Sequence, residues 1–189
     1  FCSSLFFCSS LFYILFFVFI YLFISSSSFF FFLFYITKWL GTLPHANKLV
    51  CAGNHDTCLD PGHAQANGVP PAAQLLTNCT YVQDETVEVC GLRIHMSPRT
   101  PRMKLVRAGR ADAFVYDRAT GGPWDVQLAP AETPLDILVT HGPPRGVLDR
   151  NMFGPHSGCA GLRAAIDRQP PKYHIFGHIH GGYVAFFFF

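Results

Sequence analysis

None of the 14 Lys and Arg or the 12 Asp and Glu residues of this 189-residue chain falls before Lys38. Residues 1–36 therefore carry no carboxylate, ammonium, guanidinium or imidazole, which excludes that stretch as a source of acid–base or hard metal-ligand chemistry. The seven cysteines form no CxxC pair, so neither a zinc ribbon nor a dithiol redox motif is present. Five of them, Cys51, Cys58, Cys79, Cys90 and Cys159, fall in the ordinary globular part, where buried free thiols in a reducing compartment are expected rather than a disulfide scaffold. A net charge of +2, with only 14% charged residues, leaves no basic stripe. Aromatics are not interleaved with what positive charge there is, and no nucleic-acid partner is expected. The start of the chain also lacks the basic n-region and small-residue cleavage site of a secretory signal.

What residues 1–36 do contain is 13 of the 20 phenylalanines, with Ser, Leu, Ile, Tyr, Cys and Val. Leu11–Ile36 is apolar except for Ser25–Ser28, and it is long enough to span a bilayer. A continuous apolar helix over residues 11–24, outside the globular core, is the expectation. Lys38 and Lys48 on its C-terminal side would favour a cytoplasmic catalytic domain anchored to a membrane. A second reading stays open: every residue type there has thymine-rich codons, and Phe186–Phe189 repeats the pattern, as in translated polypyrimidine sequence. The expected organisation is an apolar segment at 1–36, a globular domain at 37–185 and a Phe tail at 186–189.

The globular part repeats one design three times: a β-prone run that ends in residues able to hold a metal. Lys48–Ala52 leads into Gly53-Asn54-His55-Asp56. Asp136–Thr140 leads into His141-Gly142-Pro143-Pro144, and Lys172–Phe176 into Gly177-His178-Ile179-His180. Ligand sites gather at the carboxyl ends of strands in α/β sheets, so the three junctions are expected to share one sheet edge. Imidazole and amide oxygen donors suit manganese, iron or zinc. Elsewhere, Ala72–Asn78 reads as a short helix capped by Asn78. Thr86–Val89 and Leu92–His95 read as a hairpin turning at Cys90-Gly91. Gly158–Arg168 reads as a helix with Cys159, Leu162 and Ile166 on one face, stopped by Pro170-Pro171. Strand, helix and strand from Ile137 to Phe176 make a crossover unit.

In the order GNHD, THG and GHxH, with WLGTLPH, LTNCTYVQDETVEVCGLRI, ILVTHGPP and HIFGHIHGGY around them, the chain resembles the calcineurin-like metallophosphoesterases over about Thr37–Tyr183. Within them it resembles the metallophosphoesterase-domain-containing, class III cyclic-nucleotide-phosphodiesterase-like subfamily. The resemblance implies a four-layer α/β sandwich, two facing sheets flanked by helices. It implies hydrolysis of a small phosphoester at a site with two divalent metals. Asn54, His141 and His178 would hold one metal and His180 the other. His55 would stabilise the transition state or protonate the leaving oxygen, and Asp56 would orient His55. Arg145, just past THGPP, could contact a substrate phosphate. His45, His63, His95, His156 and His174 match no motif position and are expected to be structural or exposed.

The family pattern also requires D-x-H and GD upstream of GNHD, and no Asp precedes Asp56. The sandwich is expected to be incomplete, with at most one metal held and turnover impaired. The alternative expectation is a truncated homologue without activity, binding a single metal or anchored to a membrane.

Overall fold

The structure, a computed structural model, describes residues 3–9, 12–18, 26–102, 113–128, 132–150 and 156–179. His180 and Phe186–Phe189 lie outside the described residues.

Two four-stranded sheets face each other. The first has the order β1 (Ser3–Ser9), β2 (Phe12–Val18), β3 (Asn47–Cys51) and β4 (Thr80–Tyr81). The second has the order β10 (Tyr173–Phe176), β9 (Ile137–Thr140), β6 (Leu92–Ser97) and β5 (Glu85–Val89). A short parallel pair, β7 (Thr100–Pro101) with β8 (Val115–Tyr116), lies apart from both.

The alternation of strand side chains decides the layers. Leu49 and Cys51 of β3 point into the space between the sheets, where they join Val82, Ile94, Met96, Ile137, Val139 and Ile175. Their neighbours Val50 and Ala52 point the other way, onto Leu33 and Leu40 of α1 (Ser26–Thr42), together with Cys58, Leu59, Leu76 and Phe114. In β9 the same alternation sends Leu138 outward, against Trp124 of α4 (Trp124–Gln127) and Cys159, Leu162 and Ala165 at α5 (Ala160–Arg168). Each sheet is thus covered by helix on its outer face. Two short helices complete the set, α2 (Pro61–Ala66) and α3 (Ala72–Leu75).

The expected apolar helix over residues 11–24 is not formed. Residues 12–18 are a strand, paired parallel to β3 with Phe16 opposite Leu49, and β1 pairs antiparallel on its far side. Aromatic and β-branched residues fit a pleated sheet. Backbone donors inside a folded domain must find acceptors, and the free edge of β3 supplies them. The described helix α1 lies against the domain, with Leu33, Thr37 and Leu40 buried at helical spacing. No helix among the described residues is long and apolar enough to cross a membrane.

The second sheet follows its pattern more closely. β5 and β6 pair antiparallel around Cys90 and Gly91, at φ 55° and 75°, the two left-handed residues of a type I′ hairpin turn. β9 and β10 pair parallel, joined through α5. Asn78 is not a helix cap: α3 is one turn, Ala72–Leu75, capped by Leu76, and the Asn78 side-chain amide donates to the Thr37 carbonyl at 2.9 Å, tying this loop to α1.

Candidate metal centre

The three loops meet, but not along one sheet edge. Asn54 follows β3 of the first sheet, whereas His141 and His178 follow β9 and β10 of the second. The site spans the two sheets at the carboxyl ends of their strands, which corrects the expectation of a shared edge. His141 Nε2 donates to Asn54 Oδ1 at 2.8 Å, and the His141 and His178 rings lie 4.6 Å apart between centroids.

Both sides of the His141 backbone are pinned. Its amide donates to the Ser97 carbonyl at 3.0 Å, and its carbonyl accepts from the Gly177 amide at 3.0 Å. The Thr140 hydroxyl donates to the Gly142 carbonyl at 2.7 Å and so spends its only proton there. The His174 Nε2 contact to the same hydroxyl, at 2.9 Å, is then donated by the imidazole. Burial holds His174 down at about 3, so it stays neutral and keeps that tautomer. A residue expected to be merely structural therefore fixes the turn that carries His141.

Close approach decides the other loops. A Cβ on Gly53 would stand 2.5 Å from His141 Cε1, so only glycine admits the ring there. His178 has φ 71°, an uncommon left-handed conformation for a residue with a side chain. Such strain collects where a site dictates the backbone.

Asp56 is 1% exposed, and its Oδ2 accepts from the Gly53 amide at 2.6 Å, closing the GNHD turn on itself. Its burial pushes the carboxyl up to about 7, against the opposite pull of the Gly53 amide. His55 is exposed at the rim. Arg145 is also exposed, and its backbone amide donates to the Cys159 carbonyl at 2.9 Å. His180, the fourth expected ligand, lies outside the described residues.

The donor set fits a divalent cation. Two donors each about 2.1 Å from one ion stand roughly 3.0–3.5 Å apart, and His141 Nε2 and Asn54 Oδ1 are already 2.8 Å apart. A cation would take the place of the proton now shared between them. Among the described residues, no three His, Cys, Asp or Glu side chains gather as a metal-holding group, so the set consists of two imidazoles and one amide oxygen. Two other carboxylates, Asp60 and Asp84, are committed elsewhere. Asp60 caps α2 through Gly62 and His63 and accepts from the Phe114 amide at 2.8 Å. Asp84 accepts from the Ser97 hydroxyl at 2.6 Å and from Arg99 Nε at 2.8 Å.

Sequence patterns missed one further organiser. Asp149, 1% exposed, accepts from His156 Nδ1 at 2.6 Å and from the amides of Gly146 and Gly158 at 3.0 and 3.1 Å. Burial alone would raise its carboxyl, but those donors outweigh it and hold it below the ordinary range. It gathers residues on both arms of the loop that follows His141. No spacing rule pairs Asp149 with His156, so only the fold reveals them.

A profile of the calcineurin-like phosphoesterase family matches residues 27–182. Metallophosphoesterase domain-containing protein 1 of Homo sapiens is 35% identical over 167 residues, covering 77% of this chain and 48% of that protein. A UPF0046 protein of Caenorhabditis elegans is 35% identical over 157 residues, covering 75% of this chain and 52% of that protein. The chain thus spans about half the length of these relatives. A crystal structure superposes with a TM-score of 0.57 at 18% identity, covering 81% of this chain and 58% of the other, a likeness of fold.

Proposed function

This chain belongs to the calcineurin-like phosphoesterase family, and from that premise we propose that it holds one divalent metal through Asn54, His141 and His178 and hydrolyses a small phosphoester with impaired turnover. The supporting observation is the contact of His141 Nε2 with Asn54 Oδ1 at 2.8 Å, beside the His178 ring and across the two sheets. A divalent cation held there supplies positive charge against the phosphoryl oxygens and makes a water at the site more acidic.

The remaining work falls to side chains of this chain. His55, at the exposed rim, gives a proton to the departing oxygen, a transfer that suits an imidazole near neutral pH. Asp56, buried and closing the GNHD turn through the Gly53 amide, is proposed to orient the His55 ring. Arg145, an exposed cation in the loop after His141, is proposed to meet the anionic substrate. His180 is proposed as the lone ligand toward a second metal.

The proposed impairment rests on the carboxylates. With Asp60 and Asp84 occupied, no carboxylate among the described residues gathers with His141 and His178 to bridge a second cation beside the first, and two dications would repel at close range.

Manganese titration of the full chain tests this, followed by calorimetry and by the electron paramagnetic resonance of bound manganese. One ion per chain is expected, lost in His141→Ala and His178→Ala. Hydrolysis of bis-p-nitrophenyl phosphate should be weak and should fall further in His55→Ala. Absence of manganese binding overturns the metal site. Two ions per chain, or robust turnover that disappears in His55→Ala, overturns the impairment.

A further inference from the structure

Resting on that reading, we propose that Arg99 is the residue that grips the phosphoryl oxygens of the substrate, presented by its ion pair with Asp84 beside the loops of Asn54, His141 and His178. The placement follows from its neighbours in sequence. Two residues before it, Ser97 pairs with Thr140 across β6 and β9, and the Ser97 carbonyl accepts from the His141 amide at 3.0 Å. One residue after it, Thr100 packs so closely that its hydroxyl would be 2.9 Å from a Cβ on Gly142. The Thr100 amide donates to the Phe114 carbonyl at 3.2 Å, and the adjacent Ala113 amide donates to the Asn54 carbonyl at 2.9 Å. Arg99 thus sits between residues that touch both sides of the candidate centre.

Its guanidinium is held in advance. Nε donates to Asp84 Oδ2 at 2.8 Å, and Asp84 Oδ1 accepts from the Ser97 hydroxyl at 2.6 Å. Asp84 itself has φ 54°, a left-handed conformation in which its carboxylate is fixed from both oxygens. Asp84 also stands at the metal end of the fold: after burial, its charge and that of Asp56 are what push up the Cys51 thiol at the end of β3. Only Nε of Arg99 is engaged among the described residues, which leaves the Nη1–Nη2 edge to meet an anion. That edge matches two phosphoryl oxygens with parallel hydrogen bonds, which an ammonium cannot do. The Arg99 side chain is 35% exposed, open enough to meet a ligand yet oriented from below. Holding it in advance lowers the ordering cost of binding.

The full chain should be titrated with inorganic phosphate, with and without manganese, by calorimetry and by 31P line broadening. Arg99→Ala is expected to weaken phosphate binding by about tenfold or more, with manganese affinity unchanged. Arg99→Lys keeps a cation opposite Asp84, so it should melt close to the starting protein while still binding phosphate several-fold more weakly. Arg163→Ala, whose arginine pairs with Asp167 on α5, should bind phosphate normally.

Phosphate binding that is absent, or indifferent to both Arg99 variants, overturns the assignment. If His141→Ala abolishes manganese binding while the Arg99 variants bind phosphate normally, the metal reading stands and this one falls. If no manganese binds yet Arg99→Ala still weakens phosphate, the Arg99 assignment stands without the metal.

Discussion

The two sheets of this protein were assembled by different rules. In the second sheet, β5, β6, β9 and β10 were specified locally: a Cys-Gly hairpin turn, then a strand, helix and strand crossover closed by Pro170-Pro171. In the first sheet, only β3 announced itself. Its neighbour β2 came from a segment whose hydropathy pointed to a helix, and the edge of β3 settled the matter by offering a parallel ladder. An apolar run without charges does not choose between helix and strand by composition; the partner it meets makes the choice.

The largest effect that would sharpen this contrast belongs to the locally specified sheet. Leu138 is fully buried between β9 and the outer helices, and Leu138→Ala should cost about 3–4 kcal/mol of unfolding free energy in urea. A loss below about 1 kcal/mol would mean that the outer layer packs loosely and that the two sheets are not so different. Next comes Phe16→Pro, placed where β2 lies between β1 and β3. Proline removes a ladder donor from a central strand, so a loss of about 1–3 kcal/mol is expected, with faster amide exchange at Leu49 and Val50. Unchanged exchange in β3 would break the comparison, because β2 would not then be a working partner.

The smallest effect concerns pH and again lies in the second sheet. Folded His174 takes a proton only near pH 3, whereas an unfolded imidazole takes one near 6.5. Between these values acid favours the unfolded chain, so the stability that this group contributes is complete above pH 6.5 and is lost as pH falls toward 3. From pH 7 to pH 5 the loss should be about 1–2 kcal/mol after allowance for solvent screening. The buried His95, lowered in the same direction mainly by burial, adds to it. His174→Gln should flatten the acid limb of a melting-temperature profile; an unaltered limb would assign the titration to other groups.

The candidate centre was legible to the extent that each candidate ligand had a sequence neighbour to announce it. Asn54, His141 and His178 stood out because each follows a β-prone run at once. Their supports did not. His174 looked like one more unmatched histidine, although it aims the His141 turn through Thr140. Asp149 and His156 carried no spacing signal, and no motif surrounds Arg99, which is marked only by Asp84 on its Nε. Supports of this kind are contacts between distant segments, so nothing local marks them.

Sequence alone determined the family, the order of the three candidate loops and the strands that deliver them, because periodicity, turn residues and short motifs are local properties. Tertiary structure decided that the site bridges two sheets rather than one edge and that residues 12–18 are strand rather than helix. It also decided which carboxylates were already spent: Asp60 on α2 and the Phe114 amide, Asp84 on Ser97 and Arg99. The reason is the same in each case. A hydrogen bond or a strand partner is a property of two segments at once, and a chain shows who meets whom only when it is folded.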